Sequence, residues 1–193
     1  MSTSWPNYPI GPRDSVFAIG VASVNYAQLE LAVQAMCAAI LKTDNKFTGR
    51  LLAKIGPEMK DKIMREGLSE CDWPTDAKEL VSHFVDAHKI CYDNRNKLIH
   101  SSALTQMTGN KVRTILHKTH RSGEPIFSYP TIDQLRKVAD DMKTYFWIGL
   151  NVATLIRTEI HGIKPQEGDF ASWPHKPPLP ILLEYTSDPI QGG

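Results

Sequence analysis

Cysteine is scarce in this chain, and its spacing excludes more than its count. The three cysteines, Cys37, Cys71 and Cys91, are odd in number and form no C-x-x-C pair. That pattern argues against a disulfide framework and suits a reducing cytoplasm. No sign of charge dominates either: 22 Lys and Arg stand against 21 acids, for a formal net charge of +1. No global field draws the chain to nucleic acid or to a membrane, so any nucleic-acid contact has to be local or built by joining subunits. Residues 1–12 lack a basic stretch followed by an apolar one, so no signal peptide is expected. No membrane span is expected, since the best apolar run, Tyr145 to Ile156, is short and contains Asn151. Gly11-Pro12 and Gly20 do not make a phosphate-cradling loop. No paired-carboxylate site, Ser-His-Asp pattern or internal repeat stands out. His83 and His88 are five residues apart, the wrong spacing for a helical zinc pair. No metal or cofactor is expected.

What remains is an ordinary globular composition, 41% apolar over 193 residues, enough for one domain with a sizeable core. Residues 1–13 carry three prolines and read as an arm from which Trp5 and Tyr8 pack back. Residues 14–163 read as a helical bundle, and 164–193 as a proline-rich tail. A first long helix is predicted from about Ser15 to Leu41, capped by Asp14 or Ser15. Its apolar stripe is Tyr26, Leu29, Val33, Met36 and Ile40. Two short helices follow over 47–69, broken at Gly56-Pro57. Thr75 caps a long helix running to about Ser102, whose buried side steps through Leu80, Phe84, Ala87 and Cys91. Residues 111–129 roughly alternate around a turn at 121–124 and predict a β-hairpin. Thr131 to Gln134 fits a capping box that opens a last helix to about Ile160, with Phe146 on its core side. The expected fold is mainly α, an antiparallel four-helix-type bundle with a short inserted β-hairpin and an extended proline-rich C-terminal tail. The tail holds six of the thirteen prolines.

Chemistry concentrates at Arg95-Asn96-Lys97-Leu98-Ile99-His100. On the line from Cys91, Arg95 occupies a place where a bland bundle would put an aliphatic side chain. A guanidinium is not buried alone without a large desolvation cost. It needs an acid, a watered cleft or a second chain, and Glu30 on the first helix is one candidate partner. Arg95 and His100 differ by about 140° on an ideal helix, whereas Asn96 and His100 share a face. The long Arg stem still lets all three line one groove. The bland alternative pairs Arg95 with Glu30 and makes His100 a C-terminal cap.

The R-N-x3-H pattern late in a bundle helix resembles the HEPN family (higher eukaryotes and prokaryotes nucleotide-binding domains). The architectural likeness covers about residues 14–161; the motif covers six residues. The resemblance implies a homodimeric, metal-independent endoribonuclease, in which two motifs meet in one cleft, with a bacterial toxin or phage-defence setting. It implies Arg95, Asn96 and His100 as the catalytic set, with Glu30 and Lys97 in support. His100 would exchange a proton with the attacking 2′-hydroxyl, Arg95 would hold the phosphate, and Asn96 would orient either His100 or the phosphate. DNA, lacking that hydroxyl, would not be cut.

A small basic patch on the hairpin, Lys111, Arg113, His117, Lys118, His120 and Arg121, is a candidate contact for RNA phosphates, although such a tip is more often a solvated loop. The tail, with Leu179, Ile181, Leu182 and Leu183, is the place to look for a protein partner. The rival function is a helical binding or scaffold module that dimerises through the same helix and performs no chemistry.

Overall fold

The computed structural model describes residues 11–108, 111–119, 122–164 and 172–187. The chain is mainly helical with a small antiparallel sheet. Among the described residues there are five α-helices: α1 (Arg13–Ile40), α2 (Asn45–Leu52), α3 (Pro57–Ser69), α4 (Thr75–His100) and α5 (Ile132–Leu155). A π-helical turn over Ile156–Ile160 prolongs α5. Trp5 and Tyr8 lie outside the described residues.

Local chemistry explains most of the boundaries. The α2 N-terminus is capped by Asp44, whose carboxylate accepts from Phe47 N at 2.7 Å. Pro57 opens α3, where its missing N–H costs nothing. The expected capping box at α5 is present: Thr131 Oγ1 accepts from Gln134 N, and Gln134 Oε1 accepts from Thr131 N. Two expected caps are corrected. Pro12 occupies the cap position of α1 and Pro74 that of α4, so Asp14, Ser15 and Thr75 lie inside the helices. A fixed proline φ orients the chain into each helix without a side-chain bond.

The expected hairpin over 111–129 is two strands of a three-stranded sheet. Its order is β1 (Ser102–Thr108), β2 (Lys111–Thr119), β3 (Pro125–Ser128), all antiparallel neighbours. The strand missed in sequence is β1. α4 stops at His100 because Ser101 turns to an extended conformation (φ −97°, ψ 145°), and the chain passes straight into β1.

The expectation that neighbouring helices all run antiparallel is also corrected. Lys60 meets Glu30 and Gly67 backs onto Ile40, so α3 runs parallel to α1. Lys143 meets Gln28 and Gly149 backs onto Ala32, so α5 does too. α4 opposes them: Glu30 meets His88, while Tyr26 lies under Arg95. The chain doubles back through α2 before α3 begins, and the sheet keeps α5 at the end where α4 finished.

The core draws on Leu29, Val33 and Met36 of α1, Phe84 and Cys91 of α4, and Leu135, Met142 and Val152 of α5, all buried. Leu80, Phe84, Ala87 and Cys91 form the buried side of α4 as predicted. On α5 the roles of neighbours exchange: Tyr145 is fully buried, while Phe146 is only partly so. Trp147 is 50% exposed. In length and apolarity α1 would also suffice to cross a membrane, contrary to the reading of the 145–156 run as the best candidate. Its packed face, from Ala18 to Ile40, makes it a core helix.

The tail binds its own bundle. Asn94, itself buried, donates to Ile181 O at 2.6 Å and accepts from Leu183 N at 2.9 Å. Asp141 accepts from Ile181 N at 3.1 Å. Tyr145 donates to Pro178 O at 3.2 Å, and Thr186 bridges to Phe127 in β3. Leu183 is buried, leaving Leu179 and Leu182 exposed. The segment expected to seek a partner is therefore strapped down in cis, because buried polar side chains of α4 and α5 answer its backbone groups.

Candidate functional site

The apolar seam of α4 does not run through Arg95. From Cys91 it continues into Asn94 and Leu98, both buried. Arg95 turns one position aside, into a groove of about 500 Å³ between α1 and α4 lined by Ser23, Tyr26, Glu30, Tyr92 and Ile99. The guanidinium lies over the Tyr26 ring, 5.8 Å from its centroid. This is a cation held on an aromatic face and half open to water, which answers the desolvation objection without an acid.

Arg95 Nη1 donates to Asn96 Oδ1 at 3.1 Å and lies 3.1 Å from His100 Nε2. The three motif side chains thus converge. The partnerships differ from expectation: Asn96 holds Arg95 rather than His100. His100 is exposed at the last residue of α4, where the helix C-terminus favours a basic group.

Glu30 is not the ion-pair partner of Arg95. Its Oε1 accepts from Tyr26 Oη at 2.9 Å and faces His88 Nε2 at 3.3 Å, and its Oε2 is paired with Lys60. His88 is 0% exposed, and its Nδ1 lies 2.7 Å from Asp61. Burial opposes a charge on Glu30, but the bonds from His88 and Lys60 outweigh it and bring the carboxyl down to about 2. Burial likewise opposes charge on His88, yet its two carboxylate neighbours raise its pKa above the ordinary value. The cluster sets two carboxyl groups, Glu30 and Asp61, against two basic side chains, Lys60 and His88. Among the described residues, no carboxylate stands within ion-pair distance of Arg95.

Lys97 leaves the groove. It donates to Leu183 O, and its ammonium sits 5.7 Å from the centre of the Tyr185 ring. Burial lowers its pKa, and Lys118 nearby adds to the effect. Its role is to pin the tail. Of the basic patch, Lys118 is exposed, while His117 is half-buried against Phe127, with ring centres 5.2 Å apart. Adjacent strand positions put the two on opposite faces. His117 pairs in register with Ser102, two residues beyond His100, so the sheet hangs from the mouth of the motif. Lys111 and Arg113 lie on β2. His120 and Arg121 lie outside the described residues.

Sequence reasoning missed the buried cluster of His88, Asp61 and Lys60. The signal was present in His88, an imidazole between Phe84 and Cys91 on a buried stripe. A histidine there needs polar partners from another helix. His83 meets Tyr145 Oη at 2.8 Å and Pro177 O at 2.9 Å. Cys37 and Cys91 are buried free thiols, and burial pushes Cys37 up to about 12.

A second cleft, about 580 Å³, lies at the other end of α4 between Pro74, Glu159 and the tail. Two pairs of its lining groups are engaged with each other, Trp173 with Glu159 and Lys176 with Glu79. Among the described residues, no cluster of His, Cys, Asp and Glu is placed to hold a metal ion. Compared with protein-family models, curated proteins and solved structures, the chain matches none.

Proposed function

We propose that this chain is a HEPN-like endoribonuclease that cleaves RNA through attack of the 2′-hydroxyl, needs no metal, and works as a cytoplasmic homodimer in a toxin or phage-defence setting. The observation that carries this reading is the 3.1 Å contact between Arg95 and His100 at an open groove where, among the described residues, the arginine has no acid partner. A mainly helical fold, with the motif at the end of α4, supports this reading.

The chemistry follows from those atoms. Arg95 is a permanent donor, so in this contact His100 Nε2 is the acceptor, which is the tautomer carrying its hydrogen on Nδ1. An arriving phosphodiester draws the guanidinium onto its oxygens in a forked bond. That frees Nε2 to take the 2′-hydroxyl proton while O2′ bonds to phosphorus. The P–O5′ bond then breaks, and the proton passes from His100 to the 5′-oxygen. The products are a 2′,3′-cyclic phosphate and a 5′-hydroxyl. Tyr92, half-buried in the groove wall, supplies aromatic surface for an unpaired base.

The test incubates purified protein with mixed RNA in EDTA beside Arg95→Ala and His100→Ala. Cleavage that survives both substitutions, or that requires added metal, ends the proposal.

A non-catalytic binding module is the second reading. It is favoured by the outer face of α1, where Phe17, Val24 and Leu31 are 73%, 59% and 59% exposed at seven-residue spacing. That reading expects intact RNA, and a lower melting temperature or a lost dimer in Arg95→Ala.

A further inference from the structure

Arg95 shares its groove with a carboxylate and yet is not paired with it. Glu30 and Arg95 both line the cavity, and the Tyr26 ring that carries the guanidinium also donates its hydroxyl to Glu30. Left to itself, an ionised carboxylate facing a guanidinium across a partly desolvated groove would form a forked ion pair. Here both of its oxygens are occupied. Oε1 is held by Tyr26 and His88, and Oε2 by Lys60. His88 is itself fixed from behind by Asp61 on α3. Lys60 is nearly buried, and among the described residues its ion-pair partner is Glu30.

We propose that Lys60 and His88 are positioning residues that keep the Glu30 carboxylate turned away from Arg95, and that this sequestration leaves the guanidinium open to a phosphodiester. The inference rests on reading the groove as a phosphate site, but not on cleavage. Neither residue touches the ligand. Each acts through Glu30, which is an internal competitor for the same cation. Removing Lys60 frees one carboxylate oxygen, and the nearest unpaired cation in the groove is Arg95.

The experiment measures binding of a fluorescein-labelled single-stranded oligodeoxynucleotide, which lacks the 2′-hydroxyl and stays intact. Lys60→Met should weaken binding by about tenfold or more, the effect of engaging one charge-assisted donor elsewhere. Lys60→Met with Glu30→Gln should return it to near the native value. A loss of general positive charge would give the same rescue, so a third arm separates the two. In an Arg95→Ala background, Lys60→Met should have no further effect, whereas a general charge effect would persist. Glu30→Gln alone, an arm independent of Lys60 and of its contribution to folding, should bind at least as tightly as the native chain. Weaker binding by Glu30→Gln, native binding by Lys60→Met in a folded protein, or an undiminished Lys60 effect without Arg95 overturns the inference. If the binding pattern holds and RNA stays whole, the nuclease reading falls and this one stands. If RNA is cut and the pattern is absent, the reverse is true.

Discussion

Arg95 Nη1 and His100 Nε2 lie 3.1 Å apart although five residues separate them on one helix. An ideal helix would splay such positions by about 140°. The contact is made by the long arginine stem reaching toward the helix end, where His100 is the last helical residue and has no further turn above it. An imidazole and a guanidinium are thereby held together by one continuous segment, independent of any loop.

Removing either member should stop the chemistry. Arg95→Ala and His100→Ala are each expected to lower RNA cleavage in EDTA by about 10²–10⁴-fold. Arg95→Lys should fall between, since an ammonium keeps the charge but loses the fork. Gel assays of a labelled RNA and the matching DNA check both points, with the DNA remaining whole.

Stability should fall at both ends of the pH scale around the His88 cluster. Glu30 is depressed to about 2 from 4.5, so its contribution is present above pH 4.5 and lost as pH drops toward 2. His88 is raised above 6.5, so its contribution is complete below pH 6.5 and lost as pH rises through the folded value. Melting temperature against pH should show a plateau between about 4.5 and 6.5 from these groups. His88→Gln should lower the plateau and flatten the alkaline limb; an unchanged alkaline limb would remove His88 from the account.

Asn94 should control the tail. Asn94→Ala strands the Ile181 carbonyl and the Leu183 amide, which the side chain now satisfies. A cost of about 1–3 kcal/mol per buried group left unpaired sets the scale. Amide exchange over 177–186 should rise in the variant, and limited proteolysis should cut there first. Native protection in Asn94→Ala would show that Leu183 burial alone holds the strap.

Gly149 is a packing requirement rather than a turn. A Cβ there would lie 2.5 Å from Phe84 Cε2 and 2.9 Å from Ala32 Cβ, in the contact between α1, α4 and α5. Phe84 is fully buried and has no free space to yield. Gly149→Ala should cost about 1–3 kcal/mol by overpacking, although alanine favours a helix. Gly20→Ala meets no atom within 4 Å and should stabilise instead. Denaturant melts of the two variants side by side check the sign of each.

The sequence alone determined the helices and the motif. A 3.6-residue period with capping at Thr131 locates α5, and Leu80, Phe84, Ala87 and Cys91 locate the buried side of α4, because local propensity and apolar spacing agree there. The Arg95, Asn96 and His100 triplet was legible because its members lie within two turns of one helix. Only the tertiary structure decided who pairs with whom. Glu30 chose Lys60 and His88 over Arg95, α3 and α5 ran parallel to α1, and the tail folded back onto Asn94. Those outcomes depend on groups that meet across tens of residues, and a one-dimensional period carries no information about which distant donor reaches an acceptor first.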